Sequence, residues 1–445
     1  MARAKPINAE VPAVEPGKAG ATPPKPGPTP PRPPRKRRPR RPVPLPLKLI
    51  AGAIVVSAVF LVAAILGGGS RQGHVDGAAP PVGGAETTGQ GQAPASREST
   101  TELGYPAFAT KNTTRVGGGD AASNAAGVAL AVFPSTEPRE RPAAVTLVDE
   151  GSPAAAIAAA VLMAAPVRAP ILVSSPDGLP TVSIEALAAL DPQGTPATHR
   201  TALFAIGEAA VPGGFSATRV EGRGPAALAA RIAGLRDRIF GSPPRHVVIA
   251  PAAGLAFAMP AAAWAARSGD PVLFAGRNRL PRPTAAALRR HPKVPAYVLG
   301  PSSAISSDVL RKIAAITPRV RRVSGKDPVE NSIALAHYRA GEFGWNVNDP
   351  GHGFVVARSD EPLDAAAAAP LSASGTWGPL LLTDDAGTLP AALRGYLLDV
   401  KPGYTKDPTR AFYNHVWVIG DQESIEVGQQ AEIDSLAELA KIGGR

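Results

Sequence analysis

The chain has 445 residues, enough for two or three domains with their own cores, and carries 47 Lys/Arg against 36 Asp/Glu. The excess is local: residues 1–48 hold twelve basic groups against two acidic ones, leaving 35 and 34 for the rest, so no general nucleic-acid-binding face is implied. There is no cysteine, which excludes disulfides, thiolate metal sites and a cysteine nucleophile.

Residues 1–48, with the run PPKPGPTPPRPPRKRRPRRPVPLPLK, favour polyproline II and lack side chains for a core; they are expected to be a disordered cytoplasmic tail. Residues 49–66, LIAGAIVVSAVFLVAAIL, are eighteen residues without a charge. As a helix they would span ~27 Å, enough to cross a bilayer. A signal-peptide core would be shorter and nearer the N-terminus, although GGGS at 67–70 leaves a cleavage site open. The cluster Arg35–Arg41 precedes the run with no comparable cluster after it, so the N-terminus is expected in the cytoplasm and the C-terminal part outside. The same basic groups suit contact with anionic headgroups. Residues 67–105 are Gly/Pro/Thr-rich without periodicity, a flexible linker.

Beyond the linker one unit is written three times, over residues 106–213, 214–317 and 318–445. TRVGGG, TRVEGR and RRVSGK place Arg115, Arg219 and Arg322 at spacings of 104 and 103, each followed three positions later by Gly118, Gly222 and Gly325. The apolar runs PILV, PVLF and PLLL start at Pro170, Pro271 and Pro379, and each is followed by a polar loop ending in Leu-Pro. A further strand ends in Gly207, Gly300 and Gly420. A period near one hundred residues is a domain duplication, not a solenoid. Between these markers lie an Ala-rich helix (AASNAAGVALAVF), a strand (AAVTLV, HVVIA, GFVVA) and a second Ala-rich helix. The Leu-Pro is expected to open a third helix, over TVSIEALAAL, RPTAAALRRH and AALRGYLLDV, with its proline in the first turn. Continuous apolar strands alternating with helices predict parallel sheets covered on both faces, an α/β fold.

In this order the markers resemble the cell wall-binding repeat 2 family, triplicated modules that hold surface proteins to Gram-positive cell walls. TRVGGGD, LDAAAAAPL (363–371), the PILV/PVLF/PLLL strands and DGLP/NRLP/GTLP are similar to that family's elements, over residues 105–445. The family's second Arg is replaced by Ala121, Pro225 and Pro328; its first Asp is kept as Asp120 and Asp327 but is Gly224 in the middle repeat, and its helix-opening Asp is kept only as Asp364. The resemblance implies three tandem Rossmann-like parallel-sheet repeats in a pseudo-threefold arrangement, a pseudo-trimer within one chain, preceded here by one transmembrane helix and a disordered tail. It also implies a non-catalytic protein whose partner is cell-wall polysaccharide or another anionic glycopolymer; together with the uncharged run at 49–66, this gives an expected membrane-anchored, extracytoplasmic protein with no cofactor, metal or nucleic acid.

RVGGGDAA puts glycines and an arginine at the mouth of a helix, where unpaired N–H groups and a guanidinium attract anions. Arg115, Gly118, Arg219, Gly222, Arg322 and Gly325 are therefore candidate binding residues. The alternative is a tight turn with the arginine held by a carboxylate. Gly117-x-Gly119-x-x-Ala122 fits a loose dinucleotide pattern without its acidic ribose partner. Two acidic pairs, Asp149–Glu150 and Asp360–Glu361, follow strands, where α/β active sites lie; an envelope carbohydrate-active enzyme would use one of them, and helix capping is the simpler account. No His-Glu-x-x-His, Gly-x-Ser-x-Gly or Gly-Lys-Ser/Thr occurs. The last repeat holds ten of the 21 aromatic residues, among them Phe343 and Trp345 in GEFGWNVNDPGHG; Trp345 is a candidate sugar-stacking residue or a core residue. A third reading is a protein–protein scaffold at the cell surface.

Overall fold

Runs such as Ile171–Ser174 and Val272–Ala275 are buried at every position, because helices cover both faces of the sheets to which they belong. The computed structural model describes residues 108–374 and 376–442. The tail 1–48, the apolar run 49–66 and the linker 67–105 lie outside the described residues. Among the described residues no helix is long and apolar enough to cross a membrane.

Three parallel sheets are built to one plan within a single compact unit. The first has the order β4 (Ile171–Ser174), β3 (Val145–Asp149), β5 (Leu203–Ile206), β6 (Ala217–Val220). The second has β8 (Val272–Ala275), β7 (Val247–Pro251), β9 (Ala296–Leu299), β10 (Val320–Val323). The third has β12 (Leu380–Thr383), β11 (Gly353–Arg358), β14 (His415–Ile419), β2 (Thr113–Val116), with the short β1 (Phe108–Ala109) antiparallel on its edge. A two-stranded pair, β13 (Gly403–Tyr404) and β15 (Ala440–Lys441), stands apart.

The sheets do not follow the sequence repeats. The Arg-Val strand that opens each repeat completes the sheet of the preceding one: β6 pairs with β5 and β10 with β9. The first repeat's β2 pairs with β14 of the third, so the exchange is cyclic. The helix that follows goes the other way. Helix α1 (Ala121–Val132) packs on β4, α4 (Pro225–Phe240) on β8 and α8 (Pro328–His337) on β12, all within their own repeats. Each Arg-Val–Gly turn therefore carries the chain from one sheet to the next.

The exchanged strand is locked by a reciprocal pair of bonds. Gly207, Gly300 and Gly420, which end β5, β9 and β14, donate their N–H groups to Val220, Val323 and Val116 of the incoming strands at 2.8–3.0 Å. All three have left-handed backbone (φ +63°, +90°, +98°), which glycine adopts without a Cβ penalty. Their carbonyls accept from the adjacent arginines: Arg219 Nη1 to Gly207 O at 3.0 Å, Arg322 Nη1 to Gly300 O at 2.6 Å, Arg115 Nη1 to Gly420 O at 2.9 Å. Asp434 of α12 (Val427–Ala437) reinforces the closing strand by accepting from Asn112 N at 2.7 Å.

Three Ala-rich helices form the middle of the molecule. Helix α2 (Pro153–Ala159) with its 3₁₀ extension (Ala160–Met163), α5 (Pro260–Ser268) and the pair α9 (Pro362–Ala367) and α10 (Ala369–Ala373) pack on one another. Ala154–Met163 is buried throughout, and methyl-sized side chains allow helix axes to approach closely. The third helices, α3 (Thr181–Leu190), α6 (Arg282–Arg290) and α11 (Ala391–Asp399), start where the sequence pattern places them, but without the Leu-Pro proline in the first turn. Pro180, Pro281 and Pro390 are N-caps with extended ψ and not first-turn residues. The helix-capping account of the acidic pairs is also corrected: Ser152 and Glu361 hold the N-cap positions and neither side chain makes a cap bond. The capping acids are Asp120, which accepts from Ser123 N at 2.7 Å, and Asp327, which accepts from Glu330 N at 2.8 Å.

A fourth helix follows the Gly-ended strand in two repeats only, α7 (Ser307–Ala314) and α12. In the first repeat Pro212, Gly213 and Gly214 interrupt that stretch and it remains a loop. The difference sets the environment of the locks. Arg115 is 2% exposed and also meets Gln430 Oε1 of α12 (3.0 Å) and Ile425 O (2.6 Å). Arg322 is half-buried and adds Ile305 O (2.7 Å), while Arg219 is exposed and adds only Ala209 O (3.0 Å). Arg115→Ala leaves several buried carbonyls without a donor and is expected to cost roughly 3 kcal/mol, against about 1 kcal/mol for Arg219→Ala. Urea unfolding midpoints measure the difference; equal losses at the two positions would contradict this account of the lock.

Candidate functional site

The Arg–Gly turns each close a different sheet. Gly118 N–H donates to Asn124 Oδ1 (2.9 Å) and Gly325 N–H to Asn331 Oδ1 (3.3 Å), so an amide available to an anion in a bare turn is already taken. In the middle repeat Leu228 occupies the equivalent place and offers no acceptor. Glycine is required sterically: a Cβ at Gly325 would lie 2.2 Å from the Glu330 carbonyl carbon. The two asparagines escaped the sequence reading, although each stands six residues after its turn glycine.

Asn124 also joins two repeats. Its Nδ2 donates at 2.9 Å to Oδ1 of Asp364, a carboxyl 2% exposed on α9. Burial pushes the Asp364 pKa up to about 7; Asn124 opposes the shift, and Glu361, Asp120 and Asp360 add to it. The neighbouring Asp360 behaves oppositely. The Arg358 guanidinium, at 2.7 and 3.0 Å, holds its carboxyl below the usual range.

Trp345 is half-buried, edge-on to Trp264 with ring centroids 5.6 Å apart. Phe343 is fully buried and stacks on Tyr297 at 3.6 Å. Both belong to a knot in which a loop of the third repeat enters the second. There Asp270, 1% exposed, accepts from His246 N (2.9 Å) and Trp264 Nε1 (3.0 Å) and pairs with His246 Nδ1 (3.0 Å). Three of the ten aromatic residues of the third repeat, Tyr338, Phe343 and Trp345, serve this contact.

The charge distribution points elsewhere. Residues 214–317 carry fifteen Lys/Arg against four acids, whereas 106–213 carry six against nine and 318–445 twelve against seventeen. The middle repeat is thus net +11 between flanks of −3 and −5, a segregation hidden when the three are pooled. Its helices concentrate the charge on the surface. Arg231 and Arg238 stand seven apart on α4 and share a face, as do Arg282 and Arg289 on α6. A cleft of about 280 Å³ is lined by Arg219, Glu221, Arg231, Arg238 and Arg290, and Arg238 and Arg290 both reach over Gly234. A broader hollow of about 910 Å³ is lined by Arg282, Arg289, Lys312 and apolar side chains. Among the described residues Arg231, Arg238 and Arg289 take part in no ion pair, so their charge remains available to an anionic ligand.

The fold and surface define a triplicated α/β protein with cyclic strand exchange and one cationic repeat. Residues 322–428 match the family described as Cell wall binding domain 2 (CWB2). The match starts at Arg322, on the strand given to the preceding sheet. Two solved structures share the fold: Cwp6 from Clostridium difficile, with a TM-score of 0.59 at 20% identity over 74% of this chain and 48% of its own, and Cwp8 from Clostridium difficile, with 0.56 at 20% identity over 74% and 52%. This chain spans about half the length of the solved structures it matches. No curated protein matches the sequence.

The buried carboxyl generates a pH prediction. The folded-state pKa of Asp364 lies above the ordinary value of about 3.9, so the stability linked to its proton is complete below pH ~4 and is lost as pH rises through about 7. Asp364→Asn supplies a permanently neutral side chain. Its stability is expected to change less than that of the wild type between pH 5 and pH 8, by on the order of 1–3 kcal/mol, in chemical unfolding at each pH. Parallel curves would mean that Asp364 stays ionised.

Proposed function

We propose that residues 106–445 are a non-catalytic module that binds an anionic cell-wall glycopolymer, with the middle repeat as its contact surface. The observation that carries this is the +11 charge of residues 214–317, displayed as the Arg219/Arg231/Arg238/Arg290 cleft and the Arg282/Arg289/Lys312 hollow. Dense like charge, offset in the cleft only by Glu221 and by Asp237 beside Arg290, favours a polyanionic chain that spans several guanidinium groups at once. The Cell wall binding domain 2 match of the third repeat supports the wall as the source of that polymer. The cyclic strand exchange supports a pseudo-threefold assembly in one chain. We further propose that residues 49–66 anchor the protein in the membrane, with the tail cytoplasmic and the repeats outside, supported by the uncharged run and the arginines before it.

Binding carried by exposed guanidinium groups weakens as salt rises. The full chain is expected to be retained on purified Gram-positive walls at low salt, to be released at ~1 M salt, and to lose affinity when hydrofluoric acid has stripped the walls of phosphodiester polymers. Arg231→Ser, Arg238→Ser and Arg289→Ser together are expected to lower retention at least ~10-fold, about 1.4 kcal/mol, while Lys406→Ser with Arg410→Ser leaves it unchanged. Wild-type retention by the triple variant would refute the cationic surface. For the anchor, replacing Val56 and Leu61 by Asp is expected to move the chain from the alkali-resistant membrane fraction to the supernatant.

A further inference from the structure

The opposite edge of the sheets, where the strands begin, carries a second feature. Two residues before the proline that leads into β4, β8 and β12, all three repeats have left-handed backbone: Arg168 (φ +52°), Gly269 (φ +74°) and Trp377 (φ +60°). Glycine is the residue that adopts this conformation freely, and the middle repeat has it. The other two place large side chains there, and both are exposed, Trp377 to 54%. The left-handed backbone turns the chain out of the preceding helix, with Arg168 N–H donating to Ala164 O and Trp377 N–H to Leu371 O, both at 3.2 Å; glycine makes the same turn without strain, as Gly269 does, which directs attention to the two large side chains.

Those side chains have company. Arg267, in the last turn of α5, sits with Cζ 5.1 Å from the Trp377 ring centroid and 6.0 Å from that of Trp345. Three residues before Trp377, Ser374 Oγ accepts from Arg168 Nη2 at 3.3 Å, and the Arg168 Cζ lies 5.1 Å over Phe133. Among the described residues neither arginine has a carboxylate partner. The buried indole Nε1 of Trp345 has no acceptor. An exposed indole beside one guanidinium, with a second guanidinium held on Ser374 three residues earlier in the chain, is thus assembled from all three repeats, and no single repeat contains it.

We propose that Trp377, Trp345, Arg267 and Arg168 form a second subsite that takes an acidic sugar residue. The apolar face of the ring stacks on the open face of Trp377, and the carboxylate or phosphate meets Arg267, with Arg168 placed for the next anionic group along the chain. This deepens the wall-polymer reading and rests on it for the source of the ligand, not for the chemistry of the subsite.

The test uses the full chain and titration calorimetry with tetragalacturonic acid as probe and cellotetraose as neutral control. The wild type is expected to bind the acidic tetramer and not the neutral one. Trp377→Gly and Arg267→Ser are each expected to weaken binding roughly tenfold or more, while Trp377→Gly keeps or raises the melting temperature because glycine accepts the left-handed backbone. Unchanged binding in both variants, or a loss that merely follows a lower melting temperature, overturns the subsite. So does Trp377-dependent binding of phosphatidylglycerol vesicles without binding of the tetramer. Wall retention is measured in parallel. If walls retain the wild type but Trp377 and Arg267 are irrelevant to the tetramer, the subsite fails and the wall reading survives. If walls do not retain it while tetramer binding depends on both residues, the wall reading fails and the subsite stands.

Discussion

The structure depends on what happens at the end of one strand in each sheet. A glycine with left-handed backbone turns its carbonyl aside, and an arginine on the incoming strand donates to it, while the valine beside that arginine accepts the glycine's N–H. Both halves are needed. Without the valine carbonyl the glycine amide is left unpaired, and without the guanidinium the carbonyl must find water beneath a helix in two of the three sheets. Since the arginine and the glycine belong to different repeats, the bond that finishes a sheet also joins two repeats. The last of these joints connects the start of the described chain to its end, so the repeats close on themselves instead of extending as a row.

This lock explains why two sequence markers recur together. Arg-Val near the start of a repeat and a strand ending in glycine near its close are two sides of one contact, separated by the length of a repeat in one sense and adjacent in the other. The elements themselves were legible: the apolar runs, the Ala-rich stretches and the Leu-Pro openings fall on strands and helices within a residue or two, because each is a contiguous pattern that local sequence specifies. Pairing was not legible. A parallel edge strand of four residues carries no mark of which sheet accepts it, and Ala217–Val220 and Val320–Val323 look alike whether they serve their own repeat or the one before. The same limit applies to the arginines. Recurrence at equivalent positions reports equivalence but not partners, and only the folded chain shows the carbonyls that their guanidinium groups meet.

Charge was missed for a different reason. Pooling residues 49–445 cancels a strongly basic repeat against two acidic ones, and the near-neutral total conceals a dipolar arrangement. Physically the cancellation matters as much as the segregation. A +11 unit alone would repel itself, whereas acidic flanks lower that cost and also discourage a polyanion from settling anywhere but the middle. The aromatic count of the third repeat mixes different roles: Tyr338, Phe343 and Trp345 build the knot around Asp270 that fastens the third repeat to the second, while Trp377 stays at the surface.

The lock and the cationic surface meet at one residue. Where a fourth helix follows the Gly-ended strand, it shields the arginine: α12 places Gln430 on Arg115 and leaves it 2% exposed, and the segment leading into α7 places Ile305 O on Arg322. The first repeat lacks that helix because Pro212, Gly213 and Gly214 break the stretch, so Arg219 keeps only two carbonyl contacts, both through Nη1. The rest of its guanidinium faces the cleft that Arg231, Arg238 and Arg290 line. Without that helix one copy of the arginine is a surface cation, although the bonds that hold the sheet are the same in all three. Duplication makes this possible: three copies of a joint must all close, but only the coverings have to stay the same for all three to remain hidden, and here one covering has gone at the place where the neighbouring repeat is most basic.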